Sequence, residues 1–406
     1  MAAQAFGILA YILCCKLVLS RLGGTLREAL FCILNIAAFY LLFEYHGNDH
    51  YNAAFCAYLA LVLVQYGMMR LFSDKEAWKP WLAFFTPLAF LAAVRYIPLC
   101  LPGELAAGLH QKLQLPVSGY FIGISYMAFR ASYLVLEIRN GAVKRPGLLR
   151  YLSFCFFLPT IPVGPINPYG NFNRAFEPER PAIPQGRAAM RVFVGLVKYL
   201  FLGSLCDRLT YSGLMLNSHY HPWIDLPIAM VFYYLYLYCN FSGFCDMAIG
   251  AAGLIGVPVA ENFDSPFAAR NIRDFWNRWH ITLSHYMRDV VFAPLSKFLA
   301  RIMGPEHVND AIALTITVVF LLVGVWHGVG WNFFLFGAAH ALGVVVNHYY
   351  TIGLKKWLGR DRFKAYNANR WIRAAAVVLT FSYCAATLFF FANTMLEMKE
   401  IFASLR

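Results

Sequence analysis

Long apolar runs recur from one end of the chain to the other, at roughly 5–20, 28–43, 53–72, 81–101, 117–137, 189–206, 223–254, 311–326, 329–350 and 372–393. No other feature narrows the fold as much. Crossing about 30 Å of hydrocarbon takes a helix of roughly 20 apolar residues. Lipid offers no partner to an open backbone N–H or C=O, so a spanning segment must be a helix or part of a closed barrel. These runs are too long and too uniformly apolar for barrel strands, which alternate and span in about ten residues. Composition agrees: 60% of the 406 residues are apolar and 14% are charged, against about 25% charged in a soluble domain. The expectation is an all-α polytopic membrane protein with about 10–11 transmembrane helices.

The formal charge of +13 does not point to nucleic acid, because the basic residues sit in short loops between runs. Arg139, Lys144, Arg145 and Arg150 mark one such loop. Lys355, Lys356, Arg360, Arg362, Lys364, Arg370 and Arg373 mark another. Positive-inside sorting places both on the cytoplasmic side, with anionic lipid as a secondary attraction. Counting spans from these loops puts the N-terminus and the C-terminus outside. The ten cysteines are scattered, mostly in apolar runs, without C-x-x-C spacing, and read as small core residues. The first apolar run has no cleavage pattern behind it and reads as a retained span. The whole of 1–406 reads as one membrane-embedded domain: N-terminal helices over 1–140, a motif-bearing core over 150–350, and a basic cytoplasmic loop with a C-terminal helix over 351–406.

Three interruptions of the apolar pattern carry the chemistry. The first is the proline-rich stretch 159–166, which cannot continue a regular helix because each proline removes a donor and clashes with the preceding turn. It reads either as an interfacial loop or as a broken segment that lines a cavity or packs on protein. The second is Asp246, with Asn240 and Ser242, inside the run 223–254. A central aspartate costs about 2.5–3.5 kcal/mol to insert, so it needs a partner or a watery cavity. A structural partner such as an arginine from 264–289 is favoured over a direct chemical role.

The third is the densest polar run of the chain, 264–289, followed by His327 at the end of an apolar run. On a helix drawn over 275–291 at about 100° per residue, Trp276, Trp279, Leu283, Met287, Val290 and Val291 share one arc. Asn277, Arg278, Thr282, His285, Arg288 and Asp289 share the other. His280 falls in the middle of the apolar arc and faces protein or bilayer, where a hydrogen-bonded core histidine is as good a reading as a functional one. Metal ligation is not expected: His280 and His285 lie on different faces and no carboxylate joins them at ligand spacing.

His327 is the stronger candidate. It sits among Gly324, Gly328 and Gly330, which would let backbone or substrate approach its ring. An imidazole titrating near pH 6.5 can take and return a proton near neutrality, as a general base on a hydroxyl must. Trp326, Trp331 and Asn332 are placed to shape the wall of such a site. Proton relay in a transporter would use the same features. There is no G-x-S-x-G elbow, Walker A motif or dinucleotide fingerprint, so any nucleophile is expected to be the substrate's own hydroxyl.

Four ordered motifs carry a family resemblance: Phe241-Ser-Gly-Phe-Cys-Asp246, Asn262-Phe-Asp-Ser-Pro-Phe267, Phe275-Trp-Asn-Arg-Trp-His-Ile-Thr-Leu-Ser284 and Val325-Trp-His-Gly-Val-Gly-Trp-Asn-Phe333. Together they resemble the membrane-bound O-acyltransferase (MBOAT) family, in the bacterial branch of alginate O-acetylation and teichoic acid D-alanyl transfer. Pro159 to Ile166 resembles that branch's upstream motif, whereas Asn240 departs from the aspartate the branch often carries. The resemblance implies a central tunnel flanked by re-entrant and interfacial helices, a catalytic His327 and a second active-site histidine, His280. His280 and Asn332 are then candidates to orient the donor or stabilise an oxyanion. Trp326, Trp279, Asp246 and Arg278 are supporting candidates, and Arg270, Arg273 and Arg278 could meet donor phosphates or, equally well, phospholipid headgroups.

No resident cofactor or metal is expected. The acyl donor would be acetyl-CoA or a phosphopantetheinyl carrier protein. The acceptor would be a polysaccharide, reached directly or through an extracellular relay protein, in the bacterial cytoplasmic membrane. The Trp326-His-Gly-Val-Gly-Trp-Asn-Phe333 form and the tail Leu388-Phe-Phe-Phe-Ala resemble the O-acetylation members. The total length and the Asp274-Phe-Trp-Asn-Arg-Trp-His280 wording resemble the D-alanyl members as much. Acetyl transfer is the favoured expectation. The rival classes are a transporter, which should show symmetric repeats and keep moving substrate without His327, and a structural scaffold, which leaves Asp246 and His327 unexplained.

Overall fold

The computed structural model describes residues 2–46, 51–73, 78–95, 123–179, 182–216 and 221–405. Among these the chain is helical, without a strand and with a single isolated bridge between Phe263 and Trp279. Among the described residues six helices are long and apolar enough to cross a membrane: Gly24–Leu42, Phe55–Phe72, Gln185–Leu214, Pro222–Ile255, Pro305–His327 and Arg370–Ala392. The ends of the expected spans 81–101 and 117–137, and the loop 47–50, lie outside the described residues. The chain divides into two compact units, residues 1–195 with 244–260, and residues 196–243 with 261–406.

The first unit holds α1 (Ala2–Arg21), α2 (Gly24–His46), α3 (Tyr51–Phe72), α4 (Lys79–Arg95), α5 (Ile124–Arg139), α6 (Leu148–Cys155) and α7 (Gln185–Leu196). α1 packs on α2, α3 on α4, α4 on α5 and α6 on α2. Large side chains on α1, among them Phe6, Leu9, Leu13 and Leu17, are exposed, as suits a helix whose outer solvent is lipid.

The break at 159–166 packs on protein. Thr160, Ile161 and Ile166 are buried, and Phe157 lies in a cluster with Phe31 and Phe172. The buried cation of Arg130 replaces the hydrogen bonds that the proline segment cannot make. Its Nη1 donates to Thr160 Oγ1 at 2.8 Å and its Nη2 to the Cys155 carbonyl at 2.9 Å, at the C-terminus of α6. A positive charge belongs at that end of a helix dipole. Glu137 does the converse beyond the break, where its carboxylate accepts from the backbone N–H of Tyr169 at 2.9 Å and of Gly170 at 3.1 Å.

The partner of Asp246 is not an arginine of 264–289. Arg191 of α7 donates through Nε to Asp246 Oδ1 at 3.0 Å. The partner lies outside the densest basic stretch because α7 packs against the last turns of α8 (Pro222–Ile255). A Cβ at Gly250 would run into Val192 and the Ala188 carbonyl.

The second unit takes the first turns of α8 and then α9 (Ile272–Trp276), α10 (Ile281–Met287), α11 (Ala293–Met303), α12 (Val308–His327), α13 (Trp331–Ala368), α14 (Arg370–Ala392) and α15 (Met395–Ser404). The expected single helix over 275–291 is broken once, between Trp276 and Ile281. α9 ends at Trp276, and from Ile281 the helix runs on through one π-helical turn at Arg288–Phe292, which joins α10 to α11. The expected basic loop around 355–373 is also largely helical. α13 runs through it with one interruption at Gly359, where φ is 69°, and Asn369 caps α14 through its side chain. Lysine and arginine are good helix formers, so a charged stretch need not be a loop.

Candidate active site

A small pairing of backbone builds the site. The Asp264 N–H donates to the Arg278 carbonyl at 2.9 Å and the Ile281 N–H donates to the Asn262 carbonyl at 3.0 Å, on either side of the Phe263–Trp279 bridge. This clamp holds His280 at φ 46°, ψ 50° as the residue before α10. A non-glycine residue in the left-handed region is uncommon, and histidine is among those that tolerate it best. His280 therefore sits at a corner between two short helices and not on the face of one long helix, although it is buried as expected, at 3% exposure.

The same clamp fixes the ring. Asn262, itself buried, accepts through Oδ1 from the Thr282 N–H at 3.2 Å and from the Thr282 hydroxyl at 2.8 Å, and stands 3.2 Å from His280 Nδ1. Thr282, expected on the outward arc, is turned inward by the break. Phe241 meets the imidazole edge-on at 4.8 Å. Burial first, then the neighbouring His327, pushes the His280 imidazolium down to about 3. His280 is thus neutral through the physiological range.

His327 ends α12. Its ring lies 4.5 Å from Trp326, 4.9 Å from Phe391 of α14 and 5.8 Å from Phe336 of α13. Trp326 neighbours both histidines, with its ring centroid 6.1 Å from that of His280. His280, Trp326 and His327 thus come together within one unit.

The glycines around His327 do not leave the space that sequence reading gave them. A Cβ at Gly324 would run into the Phe333 carbonyl and one at Gly337 into the Phe320 carbonyl. These two residues let α12 and α13 cross in backbone contact, the usual work of small residues between membrane helices. The place of a Gly328 side chain is filled by the Phe333 ring, and that of Gly330 by the Asn332 side chain. Asn332 is buried at the start of α13, while Trp331 is exposed.

The other candidates separate from the histidines. Trp279 is a core residue, stacked on Phe275 at 5.5 Å and edge-on to Phe263 at 5.0 Å. Arg278 is held by two carboxylates, Asp274 at 2.9 Å and Asp264 at 3.6 Å. It ties the clamp together, whereas Arg270 and Arg273 are exposed. Asp246 belongs to the first unit. No group of three metal-binding side chains occurs among the described residues.

Sequence reading missed His340 of α13. Trp276 Nε1 donates to its Nδ1 at 3.2 Å, so the proton of the neutral ring is on Nε2, which meets Thr387 Oγ1 at 3.0 Å. Both nitrogens are thus satisfied, and the ring joins α9, α13 and α14. The available signal is a histidine in the middle of the apolar run 329–350, eight residues before His348.

The fold and site define a helical multi-pass membrane protein that gathers two histidines around a tryptophan, with no metal cluster among the described residues. The model of the membrane-bound O-acyltransferase (MBOAT) family matches residues 54–389, and the chain belongs to that family, a membrane acyltransferase. It is 30% identical over 293 residues to the teichoic acid D-alanyltransferase of Streptococcus thermophilus, covering 68% of this chain and 69% of that one. A peptidoglycan O-acetyltransferase of Helicobacter pylori is 31% identical over 214 residues, covering 52% of this chain and 39% of that protein. The probable alginate O-acetylase of Azotobacter vinelandii is 27% identical over 227 residues, covering 55% and 44%.

Proposed function

We propose that this protein transfers an acyl group, acetyl by preference, from a cytoplasmic thioester to a hydroxyl of a cell-envelope or exported polysaccharide across the bacterial cytoplasmic membrane. The hydroxyl oxygen attacks the thioester carbonyl, a C–O bond forms and the C–S bond breaks. His327 takes the hydroxyl proton and returns it to the departing thiolate. The donor is acetyl-CoA or an acylated phosphopantetheinyl carrier protein. The acceptor is met directly or through a relay protein on the outer face. No resident cofactor or metal takes part in this scheme.

The observation that carries the reading is the gathering of His327 and His280 around Trp326. A polar pair in an apolar surround is costly and is retained in membranes chiefly for function. The acceptors named for the relatives, teichoic acid, peptidoglycan and alginate, support a polymer hydroxyl. The longer match to the teichoic acid D-alanyltransferases favours a second reading, in which a carrier protein delivers D-alanine.

The test is single-turnover transfer in membranes carrying the full chain with the products of its neighbouring genes. Radiolabelled acetyl-CoA and a D-alanyl carrier protein serve as alternative donors. Label should reach polymer or partner with wild type and fall at least about 100-fold with His327→Ala. Equal labelling by both would remove His327 from the chemistry, and the donor that labels decides between the two readings. A protein that still moved substrate without labelling it would be a transporter.

A further inference from the structure

His280 has a feature that the scheme above leaves unused. Its Nε2 is buried, and no described residue gives it a hydrogen bond. The state of that nitrogen follows from the other side of the ring. A backbone N–H can only donate, so the Asn262 atom facing the Thr282 N–H at 3.2 Å is the carbonyl oxygen. The His280 Nδ1 that faces the same oxygen at 3.2 Å must then carry the hydrogen. A neutral imidazole with its proton on Nδ1 presents a bare lone pair at Nε2. A buried acceptor left unmade is costly, and this one stands beside Trp326 with His327 as the titratable group facing it.

We infer that Asn262 is a positioning residue that locks His280 in the Nδ1–H tautomer, so that His280 serves the reaction as a hydrogen-bond acceptor at Nε2 for an N–H or O–H group of a bound reactant. The inference rests on the acyl-transfer reading and revises one part of it. A ring without hydrogen on Nε2 cannot donate to an oxyanion there, so His280 orients a reactant instead. The group it accepts from is uncharged, either an amide N–H of the donor's pantetheine arm or a hydroxyl of the acceptor next to the one being acylated. Thr282 secures the lock by occupying the same Asn262 oxygen from two sides.

Two measurements test this independently. Nitrogen NMR of histidine-labelled full-length protein in lipid nanodiscs, assigned by the signal lost in His280→Gln, reads the tautomer directly. Wild type should show Nδ1 protonated and Nε2 bare, and Asn262→Ala should mix the tautomers. A wild-type proton on Nε2 would overturn the inference and leave acyl transfer untouched.

The second measurement compares two replacements that extract as monodisperse protein. In His280→Gln an amide oxygen can reach the place of Nε2, whereas in His280→Asn the amide reaches only that of Nδ1. Transfer by Gln should stay within about 10-fold of wild type and transfer by Asn should fall a further 10-fold or more. The loss should appear in KM for the thioester if the arm is the donor, and in KM for the acceptor if a hydroxyl is. Equal activity of the two would show that His280 only braces Asn262. In Asn262→Asp the carboxylate would hold a proton on the ring, so activity should fall in acid and return as pH rises. An unchanged profile would count against the lock. Absence of transfer by wild type from either donor would overturn the acyl-transfer reading, and with it the role of His280, while the spectrum would still report the tautomer.

Discussion

Burial of His280 has a thermodynamic consequence that activity does not report. In the unfolded chain an imidazole binds a proton near pH 6.5, but in the folded protein His280 does so only at about 3. Between those values the unfolded state holds more protons, so the contribution of His280 is fully present above pH 6.5 and is lost as pH falls below it. The thermal unfolding midpoint in detergent should therefore drop from pH 7.5 to pH 5, and His280→Gln should show a shallower drop. An identical slope in the variant would mean that other groups govern acid sensitivity. His340, with a donor on one nitrogen and an acceptor on the other, is a structural residue by the same accounting. His340→Gln should destabilise the protein more than it slows transfer per folded molecule.

Among the elements, the crossing of α12 and α13 decides where His327 stands. Gly324 and Gly337 face each other there with no room for a methyl group. Gly324→Ala should push the helices apart at a cost of about 1–3 kcal/mol, seen as a lowered unfolding midpoint. Transfer should fall as well, because the shift lies one turn from His327. Retained stability and activity would show that the crossing can relax. The Arg191–Asp246 pair is the corresponding joint of α7 and α8. Each of Arg191→Ala and Asp246→Asn should destabilise alone, and the double variant should cost less than the sum by about 1–3 kcal/mol. Additive losses would mean that the two side chains act separately.

For the whole molecule, the basic stretches around 139–150 and 355–373 predict the sidedness. A cysteine placed at exposed Lys356 should react with a membrane-impermeant reagent in inverted vesicles and not in intact cells. Labelling in intact cells would reverse the assigned orientation.

Much of this was legible in the sequence because lipid is an undiscriminating solvent. It demands long apolar helices wherever they stand, so the all-helical fold, the helices at 308–327 and 370–392, and the two costly polar positions at Asp246 and His327 appear as departures from a simple pattern. The break at 159–166 was legible for the same reason, since proline acts through local geometry. Partners were not legible. The arginine that meets Asp246 and the asparagine that holds His280 come from elsewhere in the chain. Periodicity reports a face, whereas a hydrogen bond needs two segments brought within about 3 Å. The one helix drawn over 275–291 failed on this point. Its apolar arc was consistent, but backbone pairing with 262–264 outweighs continuity of the helix and turns the corner at His280. Solvent set the elements from the sequence outward. The tertiary structure decided which atoms meet, and therefore which nitrogen of His280 is left to act.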